Sequence, residues 1–141
     1  SVPREQAVEW AATFGVRSAH EDLLAPDPYP RCDEWRAARL TATEARLEAL
    51  PTDVKLIVAT HFPPRADLAV LPRIPPFSIW CGTTRTNDWH RRLNIEAVTY
   101  GHLHLRSSRQ IDGVRFEEVS LGYPKQWNPA KSLSHYLRKI L

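Results

Sequence analysis

The chain has no methionine, only two cysteines and no long apolar run, and each shortage narrows what it can be. Translation starts with methionine, so Ser1-Val2-Pro3 either follows its removal or lies inside something longer. The first clear strand arrives only at Val54, which favours a chain that begins in the middle of a larger protein. Cys32 and Cys81 are widely spaced, which excludes a disulfide scaffold and a paired Cys-x-x-Cys metal motif. A reduced, cytoplasmic protein is the expectation. No stretch approaches the ~20 apolar residues that span a bilayer, and no secretory signal is present, so no membrane partner is expected. Net charge is only +3, with basic residues interleaved with acids, which is too little to imply nucleic acid. The mild surplus, mostly arginine, favours acidic partners such as phosphate compounds or an acidic carrier protein.

What remains suits one domain over 1–141, with 43% hydrophobic residues to build a core. Arg4 to Phe14 has Ala7, Trp10, Ala11 and Phe14 at helical spacing, with Gly15 as the stop. Pro26, Pro28 and Pro30 make the next stretch irregular. Thr41-Ala42-Thr43-Glu44 reads as a capping box opening a second helix that buries Leu47 and Leu50 and stops before Pro51. Asp33 to Leu40 adds a further helical turn before it. Val54 to Thr60 reads as a buried strand. A long proline-rich segment follows to Thr84, and loops of that length are usually functional. A helix is expected over Thr86 to Leu93, capped by Thr86 or Asn87, then a strand over Ile95 to Tyr100. Asp112-Gly113 between two strand-like runs predicts a hairpin. Ser132 to Leu141 reads as a terminal helix. The two earlier strands, joined by a crossover, are expected to be parallel, and the hairpin to add antiparallel strands. The fold class is α/β, a mixed sheet with helices packed on it.

The chemistry concentrates in histidine. His61 directly follows the first strand, and Gly101-His102-Leu103-His104 directly follows the second. If the chain stays extended, His102 and His104 project to one side, and parallel strands bring His61 beside them. Strand ends are where open α/β sheets place their sites, and imidazole is a common ligand for divalent transition metals. His20 and His135 read as hydrogen-bonded or surface residues.

A strand ending in Thr60-His61, followed later by a strand ending in Gly101-His102-Leu103-His104, resembles the calcineurin-like metallophosphoesterases. The hairpin around Asp112-Gly113 also looks like the one that ends that family's fold, and the likeness covers roughly residues 41–125. It implies half of a four-layer αββα sandwich. It also implies two divalent ions, of Mn, Fe or Zn, with His61 and His102 on the second metal and His104 on the first. In such sites two cations roughly 3.5–4 Å apart polarise a phosphoryl group and acidify a bridging water, and the hydroxide attacks phosphorus.

The family's earlier motifs, Asp-x-His, Gly-Asp and Gly-Asn-His, have no counterpart. Asp88-Trp89-His90 matches the first in letters but follows no strand. In a helix, residues i and i+2 diverge by ~200°. It reads as a helix-start acid and a surface histidine, with a substrate-side role left open for His90. Three imidazoles without a carboxylate do not hold two dications. The expectation is a C-terminal half, inactive alone, with the acid histidine in a missing N-terminal half that is its partner. A half sheet also leaves an exposed strand edge.

Trp80-Cys81-Gly82-Thr83-Thr84, Asp88-Trp89-His90 and Phe116 to Pro124 look like a bacterial branch, the 4′-phosphopantetheinyl hydrolases. These release the phosphopantetheine arm from acyl carrier proteins. That likeness places Trp80, Cys81, His90, Arg65 and Arg85 on the substrate side. Phe77 and Trp80 can wall a pocket, and Arg65, Arg73 and Arg85 can meet phosphate or a carrier surface. Each of these also reads as an ordinary packing anchor or solvated charge. Two other readings stay open: a mononuclear zinc hydrolase built on His61, His102 and His104, and a non-catalytic binding module that retains the fold.

Overall fold

The structure is a computed structural model and describes residues 3–18 and 23–140, so His20 lies outside the described residues. Helix α1 runs Arg4–Thr13. It ends where Gly15 turns to φ +69, with Gly15 N–H donating to Ala12 O and Val16 N–H to Ala11 O. That paired bonding is how a left-handed glycine closes a helix.

Helix α2 spans Cys32–Glu48, so the expected start at Thr41 is wrong by more than two turns. Nothing between Pro30 and Pro51 breaks a helix, and Asp33 and Glu34 sit favourably in the first turn, so the helix forms early. Thr41 is interior to it, and Glu44 is recruited elsewhere. No residue of α2 is buried: Leu40 and Leu47 only lean on the core, and Leu50 is exposed.

Four strands form one mixed sheet, β1 (Leu56–Ala59), β2 (Ile95–Tyr100), β3 (Ser107–Ile111) and β4 (Val114–Glu118), in the order β1-β2-β4-β3. β1 is parallel to β2, as a crossover requires. The hairpin turns at Asp112 (φ +50) and Gly113 (φ +83), two consecutive left-handed residues that match the twist of the flanking strands. Only β3 is antiparallel; β4 returns to pair parallel with β2, which corrects the expectation of two added antiparallel strands. Burial explains the order. Val114, Phe116, Glu117 and Glu118 are buried, while Ser107 to Gln110 are exposed, so β4 takes the centre and β3 the edge.

β1 is also an edge strand, and it is not the buried strand expected: alternate residues face solvent, and Ile57 is 47% exposed. The core lies beside β2 and β4, where Leu68, Trp89, Val98, Tyr100, Val114 and Phe116 meet. The segment 63–84 is irregular but well anchored. Its short 3-10 turns at Ala66–Leu68 and Pro75–Trp80 bury Leu68 and Pro76, and Cys81 is buried just beyond.

The helix expected over Thr86 to Leu93 shrinks to one turn, α3 (Trp89–Arg92). Its expected caps are used elsewhere. The Thr86 hydroxyl donates to Pro64 O at 2.5 Å, and Asn87 Oδ1 accepts from Ala66 N–H at 2.9 Å. The terminal helix reduces to a 3-10 turn at Leu133–Tyr136, since a short helix with no face to bury does not hold. Among the described residues no helix is long and apolar enough to cross a membrane.

Candidate functional site

Parallel pairing of β1 and β2 brings two strand ends together. Thr60 N–H donates to Thr99 O at 2.9 Å, and Gly101 N–H donates to His61 O at 3.0 Å. Gly101 suits this approach, since a Cβ there would stand 3.1 Å from Ser120 Oγ and 3.7 Å from His61 O. The chain then does not stay extended. Leu103 N–H donates back to Gly101 O at 2.9 Å, a three-residue turn centred on His102 at φ +72. His104 is also left-handed, at φ +55. Positive φ at two non-glycine residues is uncommon, the tight turn is a strained form, and such backbone gathers at functional sites.

The turn separates the rings. His61 Nε2 lies 3.1 Å from His102 Nδ1, with Phe62 and Phe77 against the His102 ring. His104 instead packs its ring 4.7 Å from that of Tyr123, and its Nδ1 lies 3.1 Å from Gln126 Oε1. Gln126 Oε1 also accepts from Tyr123 N–H at 2.7 Å, so it is the carbonyl oxygen and His104 Nδ1 must be the donor. His104 is thereby held as one tautomer, with Nε2 left as the acceptor. Gly122 permits this arrangement, because it sits at φ +79 and a Cβ there would lie 2.8 Å from Gln126 Oε1. Tyr123 and Gln126 escape a motif reading; Gly122-Tyr123-Pro124 stands out in the sequence, but nothing there joins it to His104.

Two nitrogens bound to one cation at ~2.1 Å, at right angles, are ~3 Å apart, so His61 and His102 match one edge of a coordination shell. Among the described residues, however, no three His, Cys, Asp or Glu side chains gather closely enough to hold an ion. Among the described residues the His61–His102 pair is imidazole alone, with no carboxylate gathered beside it.

Four of the five substrate-side candidates fall into two places. Trp80 and Arg85 line, with His61 and His102, a groove of about 1260 Å³ between β1 and the two long helices. Arg85 reaches Glu44 Oε2 at 2.5 Å and Thr41 Oγ1 at 3.3 Å. Glu44 also accepts from Trp89 Nε1 and Arg92, and these bonds, Trp89 foremost, hold its carboxyl below the usual range.

Arg65 and Cys81 line a separate cavity of about 210 Å³. Burial pushes the Cys81 thiol up to about 11, which makes it inert as a nucleophile near neutrality. Arg65 clasps Asp67 with two bonds and donates to Asn87 O. The expected surface position of His90 is corrected: its side chain is 1% exposed. His90 Nε2 donates to Asp112 Oδ2 at 3.0 Å, because helix α3 stands directly behind the hairpin turn. Asp112 also accepts from Arg91 Nε at 2.8 Å, and the two bonds, with that from His90 the larger, hold its carboxyl below the usual range. Arg73 lies exposed in the long loop.

No family model matches the chain. It is 44% identical over 138 residues to PptH, an acyl-carrier-protein phosphodiesterase of Mycobacterium tuberculosis, covering 98% of this chain and 42% of the relative. The fold is also similar to the crystal structure of the phosphopantetheinyl hydrolase PptH from Mycobacterium tuberculosis. The TM-score is 0.89 at 43% identity, over 98% of this chain and 49% of that one. The chain thus spans less than half the length of the relatives it matches, and over that span both its sequence and its α/β architecture are similar to PptH.

Proposed function

We propose that the chain is the C-terminal half of a metal-dependent phosphodiesterase that releases the phosphopantetheine arm from acyl carrier proteins. The convergence of His61 and His102 at two adjacent parallel strand ends carries this reading. The backbone strain at His102 and His104, and the identity to a carrier-protein phosphodiesterase, support it.

In this reading His61, His102 and His104 are the imidazole ligands, and the carboxylates and the acid histidine come from an N-terminal half. The open β1 edge and the apolar groove beside it are where that half would dock, completing a four-layer αββα sandwich. Two divalent ions, of Mn, Fe or Zn, would then supply charge for the phosphoryl oxygens and a low-pKa water. The chain's own task is to hold ligands: Gln126 keeps Nε2 of His104 available, and Phe62 and Phe77 wall the His61–His102 pair.

The test is metal analysis with a phosphodiester assay, on this chain alone and joined to its N-terminal half. Two ions per assembled site and activity only in the assembly are expected, with His102→Ala at least ~10³-fold less active. One ion per isolated chain, or full activity without the partner half, overturns the proposal.

A further inference from the structure

The interleaving of acids and bases stops at Glu118. Residues 119–141 contain Lys125, Lys131, Arg138 and Lys139 and no acid, so this segment carries +4 and everything before it sums to −1. Arg138 has Glu117 nearby, at 3.9 Å, but among the described residues no carboxylate reaches Lys125, Lys131 or Lys139. The same segment exposes apolar side chains: Tyr123 is 61% exposed, Leu133 68% and Leu137 73%.

This is an anchored strap. Arg106 donates to Val119 O, Ser120 O and Tyr136 O, and its guanidinium lies 5.6 Å from the centre of the Tyr136 ring. Arg115 donates to Ile140 O, and Asn128 N–H to the Tyr136 hydroxyl. The strap also begins at the candidate site, since Tyr123 and Gln126 are the residues against His104.

We propose that residues 123–139 form the docking surface for the protein portion of the substrate, an acidic surface bearing apolar side chains. The inference rests on the carrier-protein reading above and adds where the carrier sits. Three lysines that no carboxylate among the described residues reaches steer and orient an acidic partner. Leu133 and Leu137 give it apolar contact, and the strap's first residues set its attachment point beside His104.

The test measures binding without chemistry. A carrier protein lacking its phosphopantetheine arm is titrated into the full-length protein by fluorescence anisotropy, at about 50 mM and 300 mM salt. Lys131→Glu/Lys139→Glu is expected to weaken binding ~10-fold or more at low salt and to flatten the salt dependence, with Lys131→Gln/Lys139→Gln intermediate. Leu133→Ser/Leu137→Ser is expected to weaken binding while keeping the salt slope. Unchanged affinity and salt slope in the lysine variants overturns the docking surface, even if the wild type releases the arm. Failure of the wild type to release the arm from the loaded carrier instead overturns the phosphodiesterase reading.

Discussion

At the scale of single residues, the clearest device is the chain Gly122–Gln126–His104. Position 122 must be left-handed and leave room for a carboxamide, and only glycine does both without strain. Gly122→Ala should cost ~1–2 kcal/mol through its positive φ and also push Gln126 off His104. At about pH 8, where an ordinary histidine is neutral, long-range ¹⁵N–¹H spectra should show His104 as the Nδ1–H tautomer in the wild type. A mixture of tautomers is expected in Gly122→Ala and in Gln126→Leu; an unchanged His104 signal in both would refute the assignment. Acid sensitivity also resides in single residues. Asp112, Asp67 and Glu44 are all held below the usual carboxylate range, by His90, by Arg65 and by Trp89 in first place. A depressed carboxylate contributes stability that is full above its unfolded value, ~4, and is lost as pH falls through its lower folded value. Thermal melts should therefore hold nearly level from pH 7 to about 5 and fall below about 4. Asp112→Asn should make that fall shallower.

At the scale of elements, what could be read in advance followed local pattern. Gly15, Asp112-Gly113 and the apolar runs before His61 and Gly101 each announce themselves within a few residues, and each lies where expected. What could not be read depends on distant partners. Glu44 has the right spacing for a capping box, but Trp89, Arg85 and Arg92 claim its carboxylate from across the chain. The place of β4 between β2 and β3 follows from which hairpin strand is the buried one, a comparison no single window makes. The convergence of His61 and His102 was legible because parallel pairing follows from a crossover. The divergence of His104 was not, because it hangs on a strained turn and on Gln126. Phe116, on β4 and 1% exposed, lies in the core and touches the His90 ring edge-on. Phe116→Ala should cost ~3–5 kcal/mol by leaving a cavity in the core between the sheet and helix α3. Denaturant melts that moved by less than ~1 kcal/mol would mean that β4 is not the centre of the fold.

At the scale of the whole molecule, the asymmetry of the sheet is decisive. β3 ends it with polar, exposed residues, a blunted edge of the kind proteins tolerate. β1 ends it with Ile57 exposed, no strand among the described residues paired on its outer side and an apolar groove alongside. Such an edge recruits whatever strand is available. In the reading proposed above that strand belongs to the N-terminal half; in its absence, a second copy is the nearest substitute. Expressed alone, the chain should therefore self-associate, and light scattering should rise with concentration. Ile57→Lys places a charge on the open face, and a lysine on an edge strand discourages pairing. The variant should stay monomeric to higher concentration when alone. It should also bind the N-terminal half ~10-fold or more weakly in a pull-down titration, about 1.4 kcal/mol. The two effects are tied to one surface, so they must move together. A variant that stays monomeric yet assembles as well as the wild type would place the docking face elsewhere than β1.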